Sequence, residues 1–439
     1  MKIMKFGGTS VGKPARMHEV ARLVTTGSEQ RIVVLSAVSG TTNALVEISR
    51  HLSLGDRESA RLAIDALETQ YQNFITELVQ SEAALEKART VIEEHFEFLH
   101  IILRISWSEA LNKDILAQGE LLSTKLFCAY LEEQGVSFAL LPALDFMRID
   151  AHEEPQLDAI RELLTAQLAQ HSNIPVLITQ GFICRNVRGE VDNLKRGGSD
   201  YTASLIAAAT VASVCEIWTD IDGMHNNDPR MVDRTVPVAQ LSFDEAAELA
   251  YFGAKILHPA SIWPAQQSNV PVRLLNTMEP SAAGTLITGE ASARGVKAIA
   301  AKDGITAVSI KSSRMLLAYG FLRRVFEIFE KHRTPIDMIT TSEVAVSVTI
   351  DNASSLPAIV EELSTLGAVS FDGGQAIISI VGHEIASDTS MLQRVFSSLE
   401  GVEIRMVSYG GSLHNISLLV GGEKKKEVLQ LLNKGLFGL

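Results

Sequence analysis

The N-terminal stretch KFGGTSVGKP combines lysines with glycines, residue types that line phosphate-binding loops. Read from Gly7, it follows the Walker pattern G-x-x-x-x-G-K-[ST] until the last position, where Pro14 replaces the hydroxyl that ligates magnesium. It also departs from the dinucleotide fingerprint, because Thr9 takes the place of the second glycine. An ordinary P-loop and a Rossmann loop are therefore excluded, and Lys5 and Lys13 are left as alternative phosphate contacts.

A second candidate anion site lies in the stretch LKRGGSDYTASLIAAAT. Its glycines, Gly197 and Gly198, precede a helix of small residues, so free backbone N–H groups and the positive helix end point into one loop. Arg196 adds a planar guanidinium suited to binding a carboxylate through two contacts. In the alternative interpretation Ser199 or Asp200 caps the helix and Arg196 is a surface charge, but the paired glycines beside a charged residue favour the anion site.

Further polar residues follow other predicted strands. Thr42 lies in S-G-T-T-N, directly after RIVVLSAV, and these residue types taken alone favour a helix cap over a binding site by about two to one. Glu120 lies in the helical stretch AQGELLSTKL, where a solvated glutamate is the default expectation. The stretches WTDIDGMHNNDPR and FGAKILHPA add Arg230 and Lys255 to the cations of the glycine loops. On an acidic protein, such a set of cations favours a polyanionic small ligand, such as a nucleoside triphosphate.

The bulk composition excludes several other classes. A net charge of -13 over 439 residues, with no extended basic block, argues against a nucleic-acid partner. The sequence has no signal-peptide pattern and no apolar run near the ~20 residues of a membrane span, so a cytoplasmic protein without a membrane partner is expected. The 3 cysteines are far apart and lack C-x-x-C spacing, so neither a disulfide framework nor a protein-bound metal is predicted.

The elements that must position these residues indicate an α/β protein. In the first half, short β-branched runs predicted as strands, among them RIVVLSAV and IPVLITQGFI, alternate with helical stretches, a pattern typical of a mostly parallel sheet with helices on both faces. Ligands of such sheets bind at the carboxyl ends of the strands, which is where the glycine loops fall. Residues from about 55 to 118 instead form a helical insertion to which no function is assigned.

The last part of the chain, from about residue 291, changes to an α+β pattern of two successive βαββαβ units. The second unit is one strand short, and the run VKAIAA at 296–301 is predicted to supply that strand. The first unit, about 303–371, is then inserted within a second unit formed by 296–301 and 375–439. In the first predicted helix an apolar face is expected to pack on the sheet. This face comprises Phe321, Leu322, Val325 and Phe329.

Taken in order, the motifs K-F-G-G-T-S, S-G-T-T-N, R-G-G-S-D-Y, W-T-D, D-P-R and F-G-A-K-I-L-H-P resemble those of the aspartate kinase family. The paired βαββαβ units resemble the tandem ACT domains of that family. The resemblance implies an amino-acid-kinase catalytic domain over residues 1–290, followed by an ACT regulatory region over residues 291–439. The implied reaction uses ATP and Mg²⁺ to convert L-aspartate to 4-phospho-L-aspartate, the first step toward lysine, threonine, methionine and diaminopimelate.

The resemblance also implies roles for individual residues. Lys5 would bridge the ATP phosphates, while Lys13 and Pro14 would begin a helix. Because a carboxylate acceptor is already ionised at neutral pH, no general base is needed, and Asp200 is interpreted as orienting Lys5 or neighbouring donors. Glu120 would face the substrate ammonium and Arg196 its α-carboxylate. The implied aspartate-binding residues are Thr42, Glu120, Arg196, Gly197, Gly198 and Ser199. The implied nucleotide-binding residues are Lys5, Gly7, Gly8, Thr219, Asp220, His225, Arg230, Lys255 and Ile256.

The regulatory region most resembles that of lysine-inhibited members of the family. Asp337 would be the partner of an effector ammonium, although a capping role in a turn is the alternative. The implied effector residues are Met315, Gly320, Phe321, Leu322, Asp337 and Thr341. Because ACT domains of this kind bind amino acids where two subunits meet, a homodimer through these domains is implied, and a tetramer of paired dimers is left open.

Two alternative functions are compatible with the sequence. One is another amino-acid kinase of the same fold, acting on glutamate or acetylglutamate. The other is a catalytically inactive amino-acid-binding sensor. The intact Lys5, Arg196 and Asp200 argue against the sensor, whereas Asp222 and His225, where relatives usually have a proline and an aromatic residue, are compatible with it.

Overall fold

The computed structural model describes residues 1–194, 197–253, 257–290, 293–312 and 319–439. The strands, numbered in chain order, are β1 (Lys2–Phe6), β2 (Arg31–Leu35), β3 (Phe138–Leu140), β4 (Val176–Gln180), β5 (Ile183–Arg185), β6 (Val191–Asn193), β7 (Cys215–Thr219), β8 (Gln240–Ser242), β9 (Val272–Asn276), β10 (Thr285–Thr288), β11 (Gly295–Lys311), β12 (Ile339–Thr341), β13 (Ala345–Ile350), β14 (Ala368–His383), β15 (Met406–Tyr409) and β16 (Asn415–Gly421). The helices are α1 (Gly8–Val11), α2 (Pro14–Thr25), α3 (Thr41–Ser53), α4 (Arg57–Leu78), α5 (Glu82–Ile102), α6 (Glu109–Glu133), α7 (Ala143–Phe146), α8 (Leu157–Gln170), α9 (Gly198–Thr210), α10 (Phe243–Tyr251), α11 (Pro259–Gln267), α12 (Phe321–Lys331), α13 (Leu356–Ser364), α14 (Thr389–Ser398) and α15 (Lys425–Leu432).

The first compact unit comprises Met1–Met224 and Leu257–Gly289. Its sheet has the strand order β3-β4-β2-β1-β7-β9-β10, and neighbouring strands are parallel except for β10, which is antiparallel to β9. Every residue of β2 and β4 is buried, so both faces of the sheet are covered. The predicted α/β class, a mostly parallel sheet with helices on both faces, is confirmed.

The helical insertion packs against the start of this unit. Helices α4, α5 and α6 contact one another in succession, and α3 contacts both α4 and α6. The aromatic side chains of Tyr71, Phe96 and Phe127 lie in the resulting core. Helix α6 begins after Ser108, whose hydroxyl accepts a hydrogen bond from the N–H of Leu111. It contains no proline and continues through Gly119 to Glu133.

The second compact unit comprises His225–Ile256 and Glu290–Leu439. Its sheet has the strand order β12-β13-β11-β14-β16-β15, and the long strands β11 and β14 run through both βαββαβ repeats. The run VKAIAA at 296–301 belongs to β11 and pairs with the later half of β14, which in turn pairs with β16. The later half of β11 pairs with β13 and with the beginning of β14. Each repeat has its own hydrophobic core.

The division of the chain differs from the predicted boundary at residue 290, because the segment His225–Ile256 belongs to the second unit. The amide of Asn226 donates to the side-chain oxygen of Asn433, and that of Asn227 donates to the carbonyl of Leu429. Val232 is buried in the core of the second repeat. These contacts join residues about 200 positions apart, which is why local sequence patterns did not indicate them.

Two local predictions were wrong. The stretch IPVLITQGFI is not one strand: β4 ends at Gln180, and Phe182 adopts a left-handed backbone with φ 67° before β5 begins. In α12, Phe321, Val325 and Phe329 are buried, whereas Leu322 is 38% exposed. The buried residues recur every four positions, and Leu322 is turned about 100° from Phe321 around the helix axis.

Candidate active site

The carboxyl ends of four neighbouring strands meet at one edge of the first unit's sheet. Phe6, the last residue of β1, is in register with Leu35 of β2 and with Trp218 of β7. Leu35 is in register with Gln180 of β4. The loops that follow these strands therefore start at the same level, as expected of a parallel sheet.

The glycines of the first loop allow close packing against the second. A Cβ atom at Gly8 would lie 3.1 Å from the carbonyl oxygen of Ala37, and one at Gly12 would lie 2.8 Å from the Cβ of Ser39. Lys13 is exposed and precedes α2, with Pro14 in the first turn of that helix. Of the two candidate lysines, Lys13 thus has the position expected of a helix start.

Lys5 lies instead beside an acidic residue of the second glycine loop. Its Nζ atom is 2.6 Å from Oδ1 of Asp200, and the two side chains are only 11% and 16% exposed. Asp200 lies in the first turn of α9, whose N-cap residue is Gly197, with φ 75°. No side chain caps this helix, so neither Ser199 nor Asp200 is its N-cap, and that alternative interpretation is wrong.

A cleft of about 700 Å³ opens among these loops. It brings together residues of three sequence motifs with Glu120 of the helical insertion. Its lining is formed by Gly8, Thr9, Ser36, Ala37, Val38, Ser39, Gly40, Thr42, Glu120, Phe182, Asn193, Leu194, Gly197, Gly198 and Ser199.

Glu120 is the buried acidic group of this cleft. It is 4% exposed, and its Oε1 accepts a hydrogen bond of 3.3 Å from the N–H of Ala37. Its Oε2 has no hydrogen-bond partner within the described part of the chain. Burial raises the pKa of Glu120 to about 8, although the Ala37 N–H partly opposes this shift. A cationic group bound at Oε2 would satisfy this oxygen and favour the ionised carboxylate.

The helical insertion also holds the S-G-T-T-N loop. Helix α3 begins at Thr41, whose hydroxyl is 2.8 Å from the hydroxyl of the buried Tyr71 on α4. Its N-cap residue is Gly40, with no side-chain capping bond, so the predicted preference for a hydroxyl cap is not seen. Thr42 is exposed and lines the cleft. The insertion therefore positions two of the predicted aspartate-binding residues, Thr42 and Glu120.

Sequence reasoning did not single out Phe182 and Asn193, which also line the cleft. Phe182 is held by its own N–H, which donates to the hydroxyl of Thr202 at 2.9 Å. Asn193 ends the small β5–β6 hairpin. A Cβ atom at Gly198 would overlap the ring of Phe182, which explains the second glycine of this loop. The Gly-Phe pair after β4 was the signal available in the sequence.

The predicted nucleotide-binding residues fall in both units. Thr219 is the last residue of β7 and Asp220 follows it at the edge described above, where the Thr219 hydroxyl lies 3.1 Å from Oδ1 of Asp220. His225 and Arg230 belong to the second unit. There, Nδ1 of His225 is 2.7 Å from the Thr235 hydroxyl, and the guanidinium of Arg230 is 2.8 Å from a carboxylate oxygen of Asp228. Arg196, Lys255 and Ile256 lie outside the described residues.

The predicted effector residues lie in the first repeat of the second unit, apart from Met315, which is outside the described residues. Gly320 is the N-cap of α12 with φ 77°, and Phe321 is 3% exposed. Thr341 ends the exposed edge strand β12. The side chain of Asp337 is 2% exposed and pairs with an ammonium of the same chain, that of Lys302, over 2.7 Å.

Comparison with known proteins agrees with this geometry. A model of the amino acid kinase family matches residues 1–276, and an ACT domain model matches residues 378–436. The chain is 36% identical to lysine-sensitive aspartokinase 3 of Escherichia coli (strain K12), over 99% of both chains. The chain belongs to the aspartokinases of the amino acid kinase family. It is also 35% identical to the chloroplastic aspartokinase 2 of Arabidopsis thaliana, over 99% of this chain and 84% of that protein.

Solved structures of E. coli aspartokinase III share the fold over the whole chain. The R-state complex with aspartate and ADP has a TM-score of 0.85 at 35% identity, covering 100% of both chains. The T-state complex with lysine and aspartate has a TM-score of 0.82 at 35% identity, covering 100% of this chain and 99% of that chain.

The described residues contain neither a candidate membrane-spanning helix nor a metal-binding group of side chains. None of the helices there has both the length and the apolar character needed to cross a membrane. Three or more His, Cys, Asp or Glu side chains do not come together there as a metal-binding group.

Proposed function

We propose that the cleft transfers the γ-phosphoryl group of MgATP to the side-chain carboxylate of L-aspartate, releasing ADP and 4-phospho-L-aspartate. The observation that carries the proposal is the buried Oε2 of Glu120, which lacks a partner within the described residues and belongs to a residue lining the same cleft as the glycine loops. A buried carboxylate oxygen of this kind suits the ammonium group of an amino acid.

The chemistry requires positioning and charge stabilisation rather than proton removal. The attacking carboxylate has a reference pKa of about 4 and is ionised at neutral pH. The barrier comes from bringing one anion onto another, and cations lower it by stabilising the charge on the transferring group. Lys5 supplies such a cation, and Asp200, 2.6 Å from its ammonium, holds that ammonium in place. Asp200 therefore acts through Lys5 and not as a general base.

Substrate recognition is shared between the two glycine loops and the helical insertion. Glu120 binds the ammonium of aspartate, and Arg196 binds its α-carboxylate. Thr42 and the 197–199 loop border the acceptor position in the cleft. This division leaves the side-chain carboxylate directed toward Lys5.

The nucleotide binds through the first loop and the loops that follow β7. Gly7 and Gly8 allow the phosphates to approach the backbone, and Mg²⁺ enters with ATP as part of the substrate. The proposed nucleotide-binding residues are Lys5, Gly7, Gly8, Thr219, Asp220, His225, Arg230, Lys255 and Ile256.

The reaction is the first step of the aspartate-family pathway, which leads to lysine, threonine, methionine and diaminopimelate. We propose that L-lysine inhibits the enzyme by binding at the first ACT repeat, with Asp337 as an ammonium partner. The proposed effector site also includes Met315, Gly320, Phe321, Leu322 and Thr341. The active species is proposed to be a cytoplasmic homodimer joined through the ACT domains, with a tetramer as the alternative.

The acceptor is tested by trapping the acyl phosphate with hydroxylamine. The enzyme, ATP and Mg²⁺ are incubated separately with L-aspartate, L-glutamate and N-acetyl-L-glutamate. We expect hydroxamate from aspartate only, and less of it when L-lysine is added. Hydroxamate from glutamate or acetylglutamate but not aspartate would establish the alternative kinase, and nucleotide binding without turnover on any acceptor would establish the inactive sensor.

A further inference from the structure

The buried side chain of Asp337 lies at the centre of a partly exposed charge cluster in the second unit. Its Oδ1 accepts hydrogen bonds from Nζ of Lys302 at 2.7 Å and from the hydroxyl of Tyr251 at 3.0 Å. Lys302 also pairs with Asp351 at 2.9 Å, and its Nζ lies 4.8 Å from the centre of the Tyr251 ring. Two carboxylates thus share one ammonium, which leaves one uncompensated negative charge among these side chains.

The second oxygen of the Asp337 carboxylate is unused. Oδ2 is buried and has no hydrogen-bond partner in the residues that the structure describes. A buried carboxylate oxygen without a donor is unfavourable, and one further ammonium would supply that donor and neutralise the cluster. The cluster therefore suits an added cation.

The same cluster adjoins the F-G-A-K-I-L-H-P motif. Tyr251 is the last residue of α10, and Gly253 follows it with φ 118°. A Cβ atom at Gly253 would overlap the carbonyl of Ala301, the residue directly before Lys302 on β11. Gly253 is thus packed on the strand that carries Lys302, the ammonium partner of Asp337.

We propose that Lys302 and Tyr251 couple effector binding at Asp337 to helix α10, which directly precedes the F-G-A-K-I-L-H-P motif in the sequence. This inference rests on the proposed inhibition by lysine. An effector ammonium at Oδ2 places a second positive charge beside Lys302, and the two ammonium groups repel each other across one carboxylate. The effector ammonium on Oδ2 and the Tyr251 hydroxyl on Oδ1 also share the charge of one carboxylate, so each weakens the bond of the other. Lys302 retains Asp351 as a partner, so effector binding weakens the contacts of Asp337 with α10 and β11 rather than expelling Lys302.

The test is to measure L-lysine affinity by calorimetry and the maximal inhibition by L-lysine in the full-length enzyme. The variants are Lys302→Met and Tyr251→Phe. Lys297→Met, on the same strand but outside the cluster, and Tyr409→Phe, on β15, serve as matched controls. Both cluster variants are expected to bind lysine about fivefold more tightly or better, because repulsion or charge sharing is removed. The maximal inhibition of the cluster variants by L-lysine is expected to fall, because one of the contacts of Asp337 that effector binding would weaken is already absent. The control variants are expected to match the wild type in both lysine affinity and maximal inhibition.

Several results would overturn the coupling. An unchanged lysine dissociation constant in both cluster variants contradicts it. So does a loss of activity and thermal stability without tighter binding, which is the result of a purely structural role. If Lys302→Met does not fold, Tyr251→Phe decides alone, because it removes only a hydroxyl. A wild-type enzyme that binds no lysine instead overturns the proposed inhibition and the coupling with it.

Discussion

The buried carboxylate of Glu120 predicts how aspartate binding depends on pH. In the ligand-free protein its pKa is raised to about 8, so about nine-tenths of the molecules carry a protonated Glu120 at pH 7. Only the ionised form can pair with the substrate ammonium. Aspartate binding at pH 7 must therefore release about 0.9 proton per site.

The size of the effect follows from the same pKa. The ionised fraction of Glu120 falls about fivefold from pH 8 to pH 7 and about tenfold for each further unit, so the dissociation constant for aspartate rises by the same factors. Between pH 8, where about half of the Glu120 carboxylates are ionised, and pH 6 we expect about a 50-fold loss of affinity. Above about pH 9 the dependence on Glu120 disappears, because the carboxylate is then almost fully ionised.

Titration calorimetry measures both quantities. Aspartate is titrated into the enzyme at several pH values, in buffers of different ionisation enthalpy, and the released protons are obtained from the buffer dependence of the heat. Glu120→Gln is the control: its amide cannot ionise, so proton release and the pH dependence between 6 and 8 should both vanish. Its affinity at pH 8 should be about 30-fold weaker or more, because an ion pair is lost.

The same shift makes a prediction about stability. The pKa of Glu120 in the folded state lies above the unfolded value of 4.5. The contribution of protonated Glu120 to the free energy of unfolding is therefore complete below pH 4.5 and is lost as the pH rises through 8. In the ligand-free state, Glu120→Gln should therefore gain thermal stability over the wild type as the pH increases. An aspartate affinity that is flat from pH 6 to pH 8, with no proton release, would refute this account of the cleft.

Three further substitutions test how the site and its supports are built. Tyr71→Phe loses the hydrogen bond to the S-G-T-T-N loop, so we expect about 1 kcal/mol less stability and a severalfold higher KM for aspartate, with the KM for ATP unchanged in steady-state assays. Asp200→Asn removes the charged partner of Lys5 and should lower kcat about 10- to 100-fold. An unchanged kcat would show that the reaction does not depend on the ion pair between Lys5 and Asp200. Gly253→Ala places a side chain at a positive φ and against a carbonyl of β11, whereas Gly304→Ala has a positive φ but open surroundings. Thermal denaturation should therefore show a larger loss of stability for Gly253→Ala than for Gly304→Ala. Equal losses of stability would contradict the packing of Gly253 on β11.

Much of the catalytic fold was predictable because its signals are local. Alternation of short strands and helices indicates a parallel sheet, and the parallel sheet itself brings strand ends to one edge. Pro14 was sufficient to distinguish Lys13 from a P-loop lysine. The roles of Glu120 and Thr42, by contrast, came from family resemblance, since a single glutamate in a helix has no distinctive spacing.

What the sequence patterns missed depends on long-range contacts. The pairing of Lys302 with Asp337 joins residues 35 positions apart, and that of Thr41 with Tyr71 joins residues 30 apart. The attachment of the His225–Ile256 segment to the second unit likewise depends on distant contacts. Phe182 was missed for a different reason: a non-glycine residue with positive φ has no reliable signature in a single sequence.

The central claim is that Lys5, rather than Lys13, stabilises phosphoryl transfer to aspartate. The most direct measurement is the rate of aspartyl hydroxamate formation, at saturating ATP, Mg²⁺ and L-aspartate, for the wild type, Lys5→Met and Lys13→Met. We predict that the wild type and Lys13→Met form hydroxamate at rates within about twofold of each other, while Lys5→Met is slower by about 100-fold or more. A folded Lys5→Met variant with wild-type turnover, or a collapse of activity in Lys13→Met alone, would contradict the account.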